Sequence, residues 1–182
     1  MQLTKNEILK LAATLASTIA LYRIYQKFKR KTRFHLVGHV SEIVTFPVKG
    51  MRGVALTRGK ITNLGIFVGS ILDRGFMVVN QETKTMVNAK QHPKLVSVLV
   101  EICGEGLILS VPNMEKKLVL KKPEHSDKVE DVIVWRVNAR VFDCGEVAAE
   151  WVTKFLDSKT GGKFRVYYFD PEHSLQTGRI HR

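Results

Sequence analysis

Cysteine is scarce. Cys103 and Cys144 are the only two in 182 residues, and they form no Cys-x-x-Cys pair. That excludes a zinc ribbon and a disulfide framework, and it suits a reducing compartment. No Asn-x-Ser/Thr acceptor occurs. The six histidines (His35, His39, His92, His125, His173 and His181) are scattered, none beside a cysteine or carboxylate at a metal-ligand spacing. There are no internal repeats. No A-x-A-like cleavage site follows the apolar run near the N-terminus, so that run does not read as a cleavable leader. Aromatics make up 8% of the chain, and none alternates with cations as a stacking platform. Nucleic acid is therefore not expected as a partner.

What is present is ordinary for a globular protein, with 45% apolar and 25% charged residues. The length permits one domain and a short appendage. The formal charge of +12 is unevenly placed. Residues 1–33 hold Lys5, Lys10, Arg23, Lys27, Lys29, Arg30, Lys31 and Arg33 against Glu7 alone, more than half of the total excess. This charge flanks residues 8–25, a run of apolar or small residues whose only charges are Lys10 and Arg23. As a helix the run is about 27 Å long, close to the thickness of a bilayer core. The two cations inside it can snorkel to the interfaces. Basic residues following the run favour a cytosolic location for the rest of the chain. Residues 1–33 are expected to form a signal anchor with a basic flank; a core or interfacial helix is the other reading.

Residues 34–171 form the folded part. Strands are expected over 37–45, 54–61, 75–80, 96–102, 107–111, 118–120, 133–142 and 164–169, with a short extended piece at 86–89. Gly65 should close a loop, Gly104-Glu105-Gly106 a hairpin, and 123–131 a polar loop. In 133–142, Ile133, Trp135, Val137, Ala139 and Val141 should share a buried face. Arg136, Asn138 and Arg140 would then share a wet, basic one. The period then becomes helical. Asp143 should cap a helix in an acidic capping box with Glu146, and Val147, Ala148, Trp151, Val152, Phe155 and Leu156 should form its apolar stripe. Gly161-Gly162 should stop it. Residues 172–182 read as an irregular tail. The fold class is α+β: a mostly antiparallel, β-barrel-like domain with one late amphipathic helix, preceded by a membrane-anchor helix.

The candidate site lies in residues 46–80. Lys49 and Arg74 stand at strand edges beside Gly50, Gly53 and Gly75. A cation next to accessible backbone suits a phosphate-bearing ligand. An ordinary solvated turn has the same composition.

Several segments match a known family together. These are the strand running into PVKG-x-x-G (residues 47–53), LDRGFMVVNQ (72–81), NAKQHPKLV (88–96), and DCGEVAAEWVTKFL (143–156) followed by FRVYYFDP. Over residues 37–171 the chain resembles the N-terminal β-barrel half of the MOSC family, most closely its mitochondrial amidoxime-reducing branch. The resemblance implies a molybdenum cofactor (molybdopterin) and reduction of N-hydroxylated compounds. It also implies electrons from cytochrome b5 and its NADH-dependent reductase, and a place in the mitochondrial outer membrane facing the cytosol; another membrane facing the cytosol is the alternative. Lys49 and Arg74 match family cofactor contacts, a point charge and a planar fork. Gly50 stands where the family usually has Ser, and Lys90 where it often has Arg. The family's molybdenum-ligating cysteine belongs to a C-terminal half expected after Pro171, so the chain reads as truncated and the enzyme as incomplete. No catalytic residue and no metal ligand is assigned. Cys144 reads as a small residue at a helix start or, with a pKa lowered by the helix terminus, as a reactive thiol. The alternative function is a non-catalytic, membrane-tethered module that binds a cofactor or a partner.

Overall fold

The computed structural model describes residues 4–28, 35–112, 114–124, 128–156 and 162–171. The basic cluster at 29–33, residues 125–127 of the expected polar loop, Gly161 and the tail 172–182 lie outside them. The chain divides into two compact units, Met1–His39 and Val40–Arg182.

In the first unit, α1 (Lys5–Phe28) begins on a capping arrangement. The Thr4 amide and hydroxyl both donate to the Glu7 carboxylate, at 2.8 and 2.9 Å. The hydroxyls of Thr14, Ser17 and Thr18 donate to the carbonyls of Lys10, Ala13 and Thr14, four residues back. Hydroxyls satisfied within the helix are tolerable in an apolar medium. Residues Lys5–Gln26 are long and apolar enough to cross a membrane, and none of them is buried in the protein.

The second unit is built from antiparallel ladders. β1 (Ile43–Thr45) pairs with β2 (Val54–Leu56). β3 (Lys60–Thr62), β4 (Gly65–Val68) and β5 (Ile71–Leu72) form a small meander. β7 (Leu99–Cys103), β8 (Gly106–Ser110) and β9 (Leu118–Lys121) form a second. The central sheet has the order β10 (Val129–Val134), β11 (Val137–Asp143), β12 (Phe164–Tyr168), β6 (Phe76–Asn80). α2 (Glu146–Leu156) packs on β12.

The core explains the elements. Along β6, Phe76 and Val78 enter one apolar cluster and Met77 and Val79 another. Both faces are dry, so the strand needs a continuous apolar run. β12 behaves alike: Phe164, Val166 and Tyr168 face the cluster of α2, while Tyr167 faces the other. Burying a side chain of this size contributes about 2 kcal/mol.

Several expectations change. The first strand covers only the end of 37–45. Residues 54–61 split into β2 and β3 around Gly59, whose open α-carbon lies against Ile66. Gly65 starts a strand rather than closing a loop. Pro93 opens a 3-10 turn, Pro93–Ser97, so β7 begins later than expected. Residues 86–89 form no strand, although Met86 bridges Val79. Residues 129–131, expected within a polar loop, belong to β10 instead. In α2, Ala149 takes the inward place expected of Val147, which is exposed.

The largest correction concerns 133–142, which is a hairpin. Trp135 and Arg136 form its two-residue turn with φ of 50° and 70°. Val134 faces Val137 and Ile133 faces Asn138. Ile133 therefore shares a face with Asn138 and Arg140, while Val132 and Val134 join Val137, Ala139 and Val141. The expected basic face is broken up, because Asp131 stands opposite Arg140, 3.7 Å from its Nε.

The capping box is also absent. The Asp143 amide donates to the Lys128 carbonyl as part of the strand and is not available to Glu146. Its carboxylate accepts from the Gly145 amide at 2.9 Å, and the Gly145 carbonyl takes the first helical bond from Ala149. Glu146 turns to Arg165 Nη1 at 2.7 Å.

Candidate functional site

The Pro47–Gly50 turn and the Asp73–Phe76 segment are joined along their backbones. The Arg74 amide donates to the Phe46 carbonyl at 2.7 Å, the Phe76 amide to Pro47 at 3.0 Å, and the Lys49 amide to Phe76 at 2.9 Å. Val48 and Phe76 form a parallel bridge, both fully buried. This buried seam fixes the two cationic side chains beside each other.

Asp73 organises the edge. Its Oδ1 accepts from the Phe46 amide at 2.7 Å and from the Thr45 hydroxyl at 3.1 Å. Its Oδ2 pairs with the Arg74 guanidinium, which lies 5.4 Å from the centre of the Phe46 ring. Lys49 Nζ donates to the Arg74 carbonyl at 3.1 Å. Burial first, and then the nearby Arg74 charge, pull the Lys49 pKa below its ordinary value; Asp73 opposes them. An ammonium held this way gains from any anion that approaches it.

Gly50 has φ of 81°, a backbone conformation that L side chains avoid. A Cβ there would sit 3.4 Å from the Ala89 amide nitrogen. The turn thus abuts the segment before Lys90, an exposed residue whose amide donates to Asn88 Oδ1 at 2.9 Å. Lys49, Gly50 and Arg74 therefore come together at one edge, with Lys90 on the neighbouring loop. Asp73 and Phe46 complete the arrangement. Sequence reading did not assign them a role, although the Asp-Arg pair was the available signal.

The cysteines lie elsewhere. Cys103 is exposed in β7, and Cys144 is half-buried against the main core. Cys144 thus has the packing of a small residue at a helix start. Among the described residues no group of three His, Cys, Asp or Glu side chains could hold a metal. A hollow of about 1030 Å³ beside β8 and β9, lined by Ser70, Cys103, Leu107 and Lys121 among others, includes none of Lys49, Gly50 and Arg74.

Residues 37–159 match the model of the MOSC N-terminal beta barrel domain. The chain belongs to the MOSC family. Mitochondrial amidoxime reducing component 2 of Rattus norvegicus is 31% identical over 93% of this chain and 48% of its own length. Mitochondrial amidoxime-reducing component 1 of Homo sapiens is 31% identical over 90% of this chain and 47% of its own. This MOSC chain spans about half the length of the curated relatives it matches. A solution structure from Bordetella bronchiseptica aligns with a TM-score of 0.46 at 21% identity, covering 65% of this chain and 93% of that one.

Proposed function

We propose that this MOSC chain supplies the anion-gripping part of a molybdenum-cofactor site in a reductase of N-hydroxylated compounds of the amidoxime type. α1 anchors it in the mitochondrial outer membrane, and the folded unit faces the cytosol. Electrons arrive through cytochrome b5 and its NADH-dependent reductase. The observation that carries the reading is the contact of Lys49 Nζ with the Arg74 carbonyl, which puts an ammonium and a guanidinium on one edge, the guanidinium paired with Asp73.

The donor set fits the anionic end of a pterin cofactor. When bound, that cofactor supplies two-electron redox chemistry at its metal. This chain's residues act on its charge. Lys49 offers a point charge, and Arg74 a planar fork whose pairing with Asp73 can be exchanged for an incoming anion. Gly50 leaves the turn without a side chain, so that a ligand can approach the backbone. Ligation of the metal is assigned to no residue described here.

The test is retention. The chain is produced in cells that make molybdopterin, and pterin and molybdenum per chain are measured for the wild type, Lys49→Ala and Arg74→Ala. Each substitution should lower pterin retention roughly tenfold, the effect of losing one charged hydrogen bond. A wild-type chain without pterin, or substitutions without effect, would overturn the assignment. Deleting residues 1–33 should move the protein to the soluble fraction; continued pelleting with membranes would refute the anchor.

A further inference from the structure

The β10–β11 hairpin is dry on its inner face, where Val132 and Val141 are 1% and 0% exposed. At its tip Trp135 and Val137 are 70% and 64% exposed, and Ile133 is 37% exposed. A folded domain rarely leaves a tryptophan on such a prominence without a use for it. The turn is costly as well. Trp135 and Arg136 both hold positive φ, in a two-residue loop that Asn-Gly would fill without strain. Local preference would replace both residues, so something other than the turn accounts for them.

We propose that this hairpin tip docks into the headgroup layer of an anionic phospholipid membrane. Three features favour lipid over a protein partner. First, the tip is small: one aromatic ring and two aliphatic side chains fall far short of the roughly 800 Å² per partner of a stable protein interface. Second, its chemistry is interfacial. Trp135 is an amphipathic ring of the kind that settles at headgroup depth, and Arg136 beside it can pair with lipid phosphate. Between Val132 and Phe142 the ionisable residues are Arg136 and Arg140; Asp131, further down β10, pairs with Arg140 at 3.7 Å, which leaves Arg136 as the cation at the turn itself. Third, the inference rests on the anchoring reading of α1. A tethered domain meets the membrane at high effective concentration, and a contact too weak to recruit a free protein then suffices.

The experiment uses the full chain reconstituted into liposomes that contain phosphatidylserine and a phospholipid brominated high on its acyl chains. The chain has two tryptophans, and Trp151, on the inward face of α2, is buried at 5% exposure, so quenching reports on Trp135. The wild type should lose roughly a third of its emission or more, as expected for an indole at the interface. Trp135→Ser, with Trp151 alone, should lose almost none. Arg136→Gly relieves the turn and keeps the tryptophan. It should fold at least as well and quench less in phosphatidylserine than the wild type. Flotation with the liposomes is read in parallel. A chain that floats while Trp135 stays unquenched overturns the hairpin proposal and leaves the anchor standing. A chain that does not float overturns the anchor and the docking that depends on it. Quenching equal in neutral and anionic liposomes would refute the role of Arg136.

Discussion

The Tyr167 hydroxyl donates to Glu130 Oε2 at 2.9 Å, joining β12 to β10 across the intervening strand. The same carboxylate takes Lys84 Nζ and Lys128 Nζ, each at 2.7 Å. Glu130 is 15% exposed at its side chain, so it is a semi-buried acceptor on which three donors converge.

This knot predicts how stability varies with pH. Hydrogen bonds from Lys128 and then Lys84 hold the Glu130 carboxyl down to about 2, against burial, which raises it. Its folded pKa lies below the ordinary 4.5. The stabilisation is therefore present above about 4.5 and is lost as pH falls toward 2. Thermal melts across that window should show a decline in Tm that Glu130→Gln flattens. Tyr167 acts at the other end. Burial first, and then Glu130, push its pKa above the ordinary 10.0, so its contribution is present below pH 10 and lost as pH rises past it. Tyr167→Phe should cost about 1 kcal/mol in denaturant unfolding at neutral pH and make the alkaline decline shallower, Lys128 retaining its own share.

Arg165 divides its guanidinium between two carboxylates of unequal burial. Nη2 meets Asp143, 4% exposed, at 2.8 Å, and Nη1 meets Glu146, 75% exposed, at 2.7 Å. Similar distances should give different energies. Asp143→Ala leaves Arg165 short of its buried partner and removes the acceptor of the Gly145 amide, and should cost about 3 kcal/mol. Glu146→Ala removes a solvent-screened pair and should cost less than about 0.5 kcal/mol. Urea unfolding of the two variants checks this; equal losses would contradict it.

The sequence was legible where burial was two-sided or periodic. The apolar run of β6 read as a buried strand because both its faces enter a core. Trp151, Val152 and Leu156 revealed α2 by their spacing, although Ala149 and not Val147 turned inward. The hairpin at Trp135-Arg136 was illegible for a physical reason. Its turn has no Gly, Asn or Asp, and the apolar residues continue through it, so local chemistry contains no break. At the site, PVKG and Asp-Arg signalled two cations near glycines. The pairing of their backbones did not follow from either segment alone, since it depends on Val48 and Phe76 meeting across the fold.

Gly50 gives a conformational prediction. Its φ of 81° lies where a Cβ is strained, and the Ala89 amide stands 3.4 Å from where that carbon would be. Gly50→Ser would place the residue usual in the family on a backbone that does not favour it. The expected cost is about 1–2 kcal/mol of stability, read by calorimetry. An unchanged Tm would mean that the turn can adopt another conformation.

The last prediction concerns how Lys49 and Arg74 share a ligand. An anion between them would satisfy the ammonium that burial and Arg74 have made less favourable to protonate. Binding should raise the Lys49 pKa back toward 10.5 and be accompanied by proton uptake at alkaline pH. Calorimetric titration with inorganic sulfate, which carries no titrating proton in this window, in two buffers of different ionisation enthalpy measures that uptake directly. Affinity should fall as pH rises, and sooner than for an ordinary lysine, because free Lys49 loses its proton earlier. Lys49→Ala should abolish the proton uptake, whereas Arg74→Gln should reduce it by removing the repulsion that lowered the pKa. Since both groups act on one ligand, the double variant should lose less than the sum of the single losses. Strict additivity would place the two cations on separate ligands and break the shared site.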